Sequence, residues 1–309
     1  MILTVTLNPA LDKTVTLPGF AVNTVNRVQN VRLDPGGKGI NVSKSVHALG
    51  GKTLAISVLG GASGGYIKSA LDDMGIPNDM VIAEGVTRTN LKIVDPILHT
   101  NTDINEQGNP LSEQTLKQVW EKIAKAVQPG DTVVFAGKNP PGMADDLLAK
   151  WTEGLQKLGV RVCVDTVGEP MRLVMEKKPA IIKPNKQELS EIMGRELRTD
   201  EEILQAAMEL VEQGIGLVAV SMGSDGAVFV TADQKLRAYS PKVAVASTVG
   251  AGDAMMAALA HYSAAGCSLE ETARRAVAVA TATVMCSGTA AAELADILPV
   301  IDKVRLEVL

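Results

Sequence analysis

The chain has 309 residues, of which 46% are hydrophobic and 21% are charged, and its formal net charge is −5. This composition argues against a globally disordered chain and against a general nucleic-acid binder, so a polyanionic ligand has to meet a local basic site. Three widely spaced cysteines without a CxxC pair favour neither a disulfide framework nor a zinc site. No apolar run reaches the length of a membrane span and no signal sequence is recognisable, so we expect a cytoplasmic protein without a membrane partner.

Strands and helices alternate along most of the chain. Alternating β-branched residues predict a first strand over 2–7, which ends in a turn at 8–12. Further strands are predicted at 53–59, 132–136, 160–164, 180–182, 217–221 and 226–231, and helices at 40–49, 66–74, 112–127, 147–158, 199–211, 254–265 and after 268. Ser112 is a predicted N-cap, and capping boxes are predicted at Thr199–Glu202 and Ser268–Glu271. This order predicts an α/β fold with a mostly parallel central sheet and helices on both faces, as a single domain over 1–309.

Two segments interrupt the alternation, at about 14–31 and 79–105. Both contain short runs of β-forming residues without a helical period, such as Leu91–Val94. We expect them to form a small β-sheet beside the main one, which we call the lid. Exposed strand edges and apolar faces of a lid would be covered if two copies paired, so a homodimer through the lid is expected.

Ligands of parallel α/β sheets bind beyond the carboxyl ends of the strands. The polar loops that follow predicted strands are therefore the candidate binding loops. They lie at 8–12, 36–41, 137–142, 165, 183–188, 221–226 and 247–253.

The last of these loops reads Ser-Thr-Val-Gly-Ala-Gly-Asp and precedes a helix of small residues. Gly250, Ala251 and Gly252 would present free backbone N–H groups at the positive end of the helix dipole, which is an anion site. Asp253 is either a general base beside a bound phosphate or a helix N-cap, and these residues alone leave both interpretations open.

The loop Gly-Gly-Lys-Gly-Ile-Asn, residues 36–41, also opens a helix. The glycines would let a ligand approach the backbone, and Lys38 and Asn41 would bind hydroxyl or phosphate groups. A tight turn with Asn41 in a packing role is the alternative. The loop is not a nucleotide P-loop, because the G-x-x-x-x-G-K-[ST] spacing is absent.

These two motifs, in this order and roughly 210 residues apart, resemble the two signatures of the phosphofructokinase B (ribokinase-like) family of sugar kinases. The resemblance covers nearly the whole chain. It implies a ribokinase-like three-layer sandwich with a small β-sheet lid, ATP as the phosphoryl donor and Mg²⁺ as the metal ion.

The resemblance also implies roles for the matching residues. Asp253 would be the catalytic base, and the turn of Gly250, Ala251 and Gly252 would bind the transferring phosphate. Arg88, Arg27 and Lys38 would share the phosphate of the substrate. The full set implied in substrate binding is Asp12, Arg27, Gly36, Gly37, Lys38, Asn41, Arg88, Asn90 and Lys138. The residues implied in ATP binding are Asn185, Ser221, Gly223, Ser224, Gly226, Thr248, Gly250 and Gly252.

Two of these assignments have ordinary structural alternatives. Asn185 and Glu188 are implied in binding magnesium and phosphate, with Glu188 acting through water. They also have the spacing of a helix capping pair. The turn at 221–226 is first of all a predicted hairpin. The scattered His47, His99 and His261 form no catalytic or metal pattern and are interpreted as structural.

Arg27, Lys38, Arg88 and Lys138 supply more positive charge than a neutral sugar needs. The resemblance therefore implies a ketohexose phosphate as acceptor, with fructose 1-phosphate preferred and tagatose 6-phosphate or fructose 6-phosphate as alternatives. The loop with Lys138 and Asn139 departs from the family's more usual Ser-Gly-Ser-Leu-Pro, which bears on the sugar. A non-catalytic phosphosugar-binding regulator is the alternative from another class, and the missing G-x-G-x-x-G disfavours a nicotinamide oxidoreductase.

Overall fold

The computed structural model describes all 309 residues, which form fourteen strands in two sheets and ten α-helices. The strands are β1 Ile2–Thr6, β2 Ala10–Thr16, β3 Asn30–Gly36, β4 Thr53–Leu59, β5 Val81–Ile82, β6 Thr89–Asp95, β7 Thr100–Asn105, β8 Thr132–Ala136, β9 Arg161–Asp165, β10 Ile181–Ile182, β11 Leu217–Ser221, β12 Ala227–Val230, β13 Lys235–Tyr239 and β14 Arg305–Val308. The helices are α1 Lys38–Ala48, α2 Gly61–Asp73, α3 Glu113–Ala126, α4 Leu147–Lys157, α5 Glu169–Met175, α6 Lys186–Met193, α7 Asp200–Glu212, α8 Ala251–Ala264, α9 Leu269–Met285 and α10 Leu294–Ile301. None of the helices combines the length and apolar character needed to cross a bilayer.

The main sheet has ten strands in the order β14-β13-β12-β11-β10-β9-β8-β1-β4-β5. The seven strands from β11 to β5 run parallel, which confirms the predicted α/β fold with a mostly parallel sheet. The last three strands extend it as antiparallel neighbours. Two of them, β13 and β14, were not predicted.

Helices cover both faces of this sheet. Alternate residues of one strand enter opposite cores, as on β1, where Leu3 and Val5 pack toward α3–α7 and Ile2 packs toward α1, α8, α9 and α10. Fully burying such an aliphatic side chain contributes about 1.5–3 kcal/mol. A core of nearly equal size lies on each face of the sheet. Because both faces are packed against helices, the carboxyl ends of the strands are held between two helical layers.

Side-chain caps begin several helices where the sequence predicted them. Ser112 Oγ accepts a hydrogen bond of 3.1 Å from the Thr115 N–H. Thr199 and Glu202 form a complete capping box. At Ser268 the predicted box is only half formed, because Ser268 Oγ accepts from the Glu271 N–H but Glu271 turns to Arg275 instead.

The lid is a separate four-stranded sheet in the order β3-β2-β6-β7, with β2 and β6 parallel. The small strands expected throughout 15–31 are wrong for residues 17–29, which form no strand. Val22 and Val25 there are 85% and 82% exposed, so they have no core to pack into. The turn expected at 8–12 is also wrong in its second half, because β2 begins at Ala10 and places Asp12 within a lid strand.

Candidate active site

Two adjoining cavities lie beside the start of α8, and the first of them is also lined by the lid. The first, of about 550 Å³, is lined almost entirely by polar residues. The second, of about 490 Å³, is more apolar, and Gly223 lines both. The start of α8 separates them: Gly250 and Gly252 face the polar cavity, whereas Thr248 and Ala251 face the apolar one.

Asp253 lies in the first turn of α8 and lines the polar cavity. The N-cap of α8 is Gly250, whose φ of 85° is a left-handed conformation that glycine adopts without strain. The N-cap interpretation of Asp253 is therefore wrong. Its buried carboxylate instead accepts a hydrogen bond of 2.8 Å from Asn41 Nδ2, with Oδ2 as the acceptor. The opposite amide atom, Asn41 Oδ1, is buried without a hydrogen-bond partner.

The environment of Asp253 suits a proton acceptor. Burial raises the pKa of this carboxyl to about 6, and the negative charge of Asp165 adds to the rise. Lys38, Asn41 and Lys183 act in the opposite direction and limit the shift. A carboxyl with a pKa close to neutral is ionised at physiological pH and still basic enough to take a proton from a hydroxyl group.

A buried ion-pair network lies next to Asp253. Asp165, at the end of β9, contacts Lys38 Nζ at 3.0 Å and Lys183 Nζ at 3.2 Å. Burial alone would raise the pKa of Asp165, but these two lysines outweigh it and hold the pKa below its usual value. Burial would likewise lower the pKa of Lys38, yet the carboxylates of Asp165 and Asp253 raise it. Lys38 is therefore cationic inside the cavity.

Lys183 was not among the predicted site residues, although it begins a loop that the sequence had marked. It follows β10, and its ammonium lies near the start of α8, since a Cβ added to Gly252 would be 3.3 Å from Lys183 Nζ. Asp165 ends β9 and Lys183 follows β10, and these two strands are parallel neighbours in the sheet. The only sequence signal that the two residues meet was that each lies at the end of a predicted strand.

The predicted sugar-binding residues lie mostly on the lid side of the polar cavity. Asn90 Nδ2 donates a hydrogen bond of 2.9 Å to Asp12 Oδ1 across the parallel pair β2–β6. Burial raises the pKa of Asp12, although the Asn90 hydrogen bond and nearby cations oppose the shift. The members of the predicted set that line this cavity are Asp12, Gly37, Lys38, Asn41, Arg88 and Asn90.

Three predicted substrate-binding residues do not line this cavity. Arg27 is exposed in the irregular segment 17–29, and Lys138 is exposed beside a small cleft after β8. Gly36 ends β3 and packs against Asp12, so it supports the cavity wall without lining it. Lys38 and Arg88 thus line the polar cavity without Arg27 and Lys138.

The predicted nucleotide residues divide between the two cavities. Gly223, Ser224, Gly226 and Thr248 line the apolar cavity. Ser221 lines the polar cavity and is bridged to Asn185 as an extension of the parallel sheet. The 221–226 turn is indeed a hairpin, which joins the antiparallel strands β11 and β12.

Asn185 and Glu188 begin α6 as a reciprocal capping box. Asn185 Oδ1 accepts from the Glu188 N–H at 2.9 Å, and Glu188 Oε2 accepts from the Asn185 N–H at 2.8 Å. The capping interpretation is therefore confirmed, yet both residues also line the polar cavity. One oxygen of Glu188 remains without a protein hydrogen bond, which fits a carboxylate that holds a metal ion through water. No group of three or more His, Cys, Asp or Glu side chains is arranged to bind a metal ion directly.

Comparison with known proteins places this site in a family. The model of the pfkB family of carbohydrate kinases matches residues 5–296. The chain is 40% identical over 278 residues to 1-phosphofructokinase of Rhodobacter capsulatus, and this alignment covers 90% of this chain and 88% of that protein. It is 34% identical over 290 residues to the ATP-dependent 6-phosphofructokinase isozyme 2 of Escherichia coli, covering 93% and 94% of the two chains. The crystal structure of Escherichia coli phosphofructokinase-2 with substrates and products matches with a TM-score of 0.94 at 32% identity over 98% of both chains.

The chain therefore belongs to the pfkB family of carbohydrate kinases. It is an ATP-dependent sugar kinase with the ribokinase-like fold that the two sequence motifs implied.

Proposed function

We propose that the protein transfers the γ-phosphoryl group of ATP to the free primary hydroxyl of a ketohexose phosphate. Fructose 1-phosphate is the preferred acceptor and fructose 1,6-bisphosphate the product. The observation that carries this proposal is the position of Asp253, a buried carboxyl at the start of α8 between a polar and an apolar cavity. The similarity to 1-phosphofructokinase of Rhodobacter capsulatus supports the choice of sugar.

Asp253 is the proposed base of the transfer. It accepts the proton of the attacking hydroxyl while that oxygen forms a bond to the γ-phosphorus and the bond to the β,γ-bridging oxygen of ATP breaks. Asn41 orients the carboxylate through the 2.8 Å hydrogen bond. The N–H groups of Ala251, Gly252 and Asp253 lie in the first turn of α8 without intrahelical acceptors, so they can bind the charge on the transferring group.

The lysine network supplies positive charge next to this helix start. Lys38 and Lys183 both line the polar cavity, and each is paired with Asp165. Because they are held in place before a substrate arrives, they can stabilise the phosphoryl group without reorganisation. Phosphoryl transfer depends mainly on such positioning and charge stabilisation.

The apolar cavity is the proposed site of the adenine base. Gly223, Ser224, Gly226 and Thr248 would contact the nucleotide, and Asn185 and Ser221 would face its phosphates. A magnesium ion held through water by Glu188 would neutralise charge on the ATP oxygens.

The lid side of the polar cavity is the proposed site of the sugar. Asp12 and Asn90 would bind vicinal hydroxyls, and Asn41 lines the same cavity. Gly37 lines this cavity as well, and its φ of 114° and the close approach of Thr6 and Pro9 require a glycine there. Arg88 and Lys38 add positive charge toward a substrate phosphate. Arg27 and Lys138 take no part in this arrangement within one chain.

The proposal includes a homodimer formed through the lid. The lid face opposite the cavity is mostly apolar, since Val15 pairs with Val31 and Leu91 pairs with Ile104, and Lys13 is the charged residue among them. Val31 and Ile104 remain 50% and 52% exposed. Light scattering at the assay concentration tests this assembly: a dimer is expected, Val31→Lys should weaken it, and a monomeric wild-type chain would contradict it. The cytoplasmic location stays a prediction.

A coupled assay of ADP release tests the substrate. Fructose 1-phosphate, fructose 6-phosphate, tagatose 6-phosphate and fructose are compared as acceptors at equal concentration. The highest kcat/KM is expected with fructose 1-phosphate and the lowest with fructose. A preference for fructose 6-phosphate would favour the alternative that the similarity to the Escherichia coli isozyme suggests. Binding of a sugar phosphate without ADP release would favour a non-catalytic regulator.

A further inference from the structure

The lid face toward the polar cavity carries two rows of side chains, and the members on β2, β6 and β7 line the cavity. In each row one residue from each strand stands beside its ladder partners, and neighbouring rows on the same face are about 7 Å apart. The inner row contains the proposed sugar ligands and consists of Asp34, Asp12, Asn90 and Asn105. The outer row consists of Arg32, Thr14, Lys92 and Asp103.

Arg88, which directly precedes β6 and contacts Asn90, is largely committed to protein oxygens. Its guanidinium donates to the carbonyls of Pro9, Asn8 and Glu106 and to Asn90 Oδ1. Four of its five N–H donors are thus in use, and one remains for a ligand. Binding a phosphate by a two-pronged contact would require Arg88 to give up one of these four hydrogen bonds.

The outer row contains two cations with different surroundings. Arg32 is paired with Asp34 at 2.8 Å and donates to Ser287 Oγ at 2.9 Å. Lys92 lines the polar cavity, is half-buried, and makes neither an ion pair nor a side-chain hydrogen bond. Its ladder partner Asp103 faces it from β7 without coming within ion-pair distance. Lys92 is therefore the lid lysine that lines the polar cavity with its ammonium free to meet a ligand.

We infer that Lys92 binds the phosphate group that the acceptor sugar already carries, with the Thr14 hydroxyl as a second donor. This assignment rests on the proposed function. A sugar whose reacting hydroxyl is at Asp253 and whose ring hydroxyls are at the inner row extends its far end toward the outer row. There a dianionic phosphate meets Lys92 and, one ladder position away, Thr14. The negative charge of its ladder partner Asp103 weakens the attraction of Lys92 for phosphate.

Lys92→Met and Lys92→Arg test this assignment, because methionine keeps the aliphatic length and removes the charge, whereas arginine keeps it. KM for fructose 1-phosphate should rise about 10- to 100-fold in Lys92→Met, the usual effect of losing one charge-assisted hydrogen bond. KM for ATP should stay within about twofold, KM for unphosphorylated fructose should not change, and Lys92→Arg should recover most of the affinity. Asp103→Asn should lower KM for the sugar phosphate.

Lys117→Met, which removes an exposed lysine of α3, controls for the loss of one positive charge. Thermal unfolding checks that the lid variants fold. If the wild type phosphorylates fructose 1-phosphate and Lys92→Met keeps the same KM for it, the assignment of Lys92 is wrong and the proposed function stands. If Lys92→Met raises KM equally for fructose and fructose 1-phosphate, Lys92 binds the sugar rather than its phosphate. If the wild type phosphorylates none of the three sugar phosphates, both proposals fail.

Discussion

Asn41 and Asp253, 212 residues apart in the chain, are joined by a hydrogen bond of 2.8 Å. The bond links the start of α1, which follows the sugar-side glycine loop, to the start of α8, which carries the proposed base. One buried contact therefore positions the proposed sugar side of the site relative to the proposed base. The bond also leaves the second carboxylate oxygen of Asp253 free to face a hydroxyl.

Asp253→Asn should lower kcat by about 10²- to 10⁴-fold, the usual contribution of a general base. Asparagine has nearly the same shape and can still accept the hydrogen bond from Asn41, so binding of sugar phosphate and ATP should persist in isothermal titration calorimetry. Lys117→Met, remote from the site, should behave like the wild type. A variant that binds both ligands and keeps its turnover rate would show that Asp253 is not the base.

The pH dependence of kcat/KM should show an acidic limb near pH 6. Burial, and then the charge of Asp165, raises the pKa of Asp253 to about 6, and only the ionised carboxylate can accept a proton. Activity should therefore be nearly constant above this pH and fall about tenfold per pH unit below it. The residual activity of Asp253→Asn should lack this limb, and an unchanged limb in that variant would assign it to another group.

Asp253→Asn should also stabilise the fold at alkaline pH. Because burial raises the pKa of Asp253 from 3.8 to about 6, the folded chain retains a proton that the unfolded chain releases between these values. The ionised carboxylate thus costs the folded state about 3 kcal/mol above pH 6, and asparagine avoids this cost. Urea unfolding at pH 8 should give a larger free energy for the variant, and the difference should shrink as the pH falls toward 4. Equal stability at pH 8 would mean that the carboxylate is better solvated than its burial implies.

Gly36→Ala should weaken sugar binding selectively. A Cβ at Gly36 would overlap the Asp12 carboxylate and displace it from Asn90. We expect about a tenfold rise in KM for the sugar phosphate, with KM for ATP unchanged. Gly65→Ala is the matched control, because a Cβ there, on the exposed side of α2, meets no atom within 4 Å. Equal KM values for the two variants would show that Asp12 does not bind the sugar.

The parallel core of the fold could be predicted because its signals are local. The strands β1, β4 and β8 combine apolar runs with glycine-rich or polar loops at their ends, and their predicted bounds differ from the observed ones by at most one residue. The strand β14 carried no such signal: it is short and mostly exposed, and it exists because it pairs with β13.

The candidate site could be predicted only in part, since several of its contacts join distant residues. The local sequence left Asp253 between a cap and a base, and Asn41 and the conformation of Gly250 decided against the cap. The cavity position of Lys92 depends on the parallel pairing of β2 with β6, which no local pattern reveals. Asn185 and Glu188 had both a capping and a site interpretation, and a side chain can satisfy both at once.

The position of β1 in the main sheet has a consequence for biosynthesis. This first strand lies between β4 and β8, so one of its edges stays unpaired until Thr132–Ala136 has left the ribosome. Its five residues are all buried in the finished protein, and a nascent chain therefore carries an apolar, half-paired strand during much of its synthesis. The central sheet can therefore be completed only after nearly half of the chain has been synthesised. A ribosome-bound fragment that ends before Thr132 should be digested by protease far faster than one that includes β8 and the helix after it.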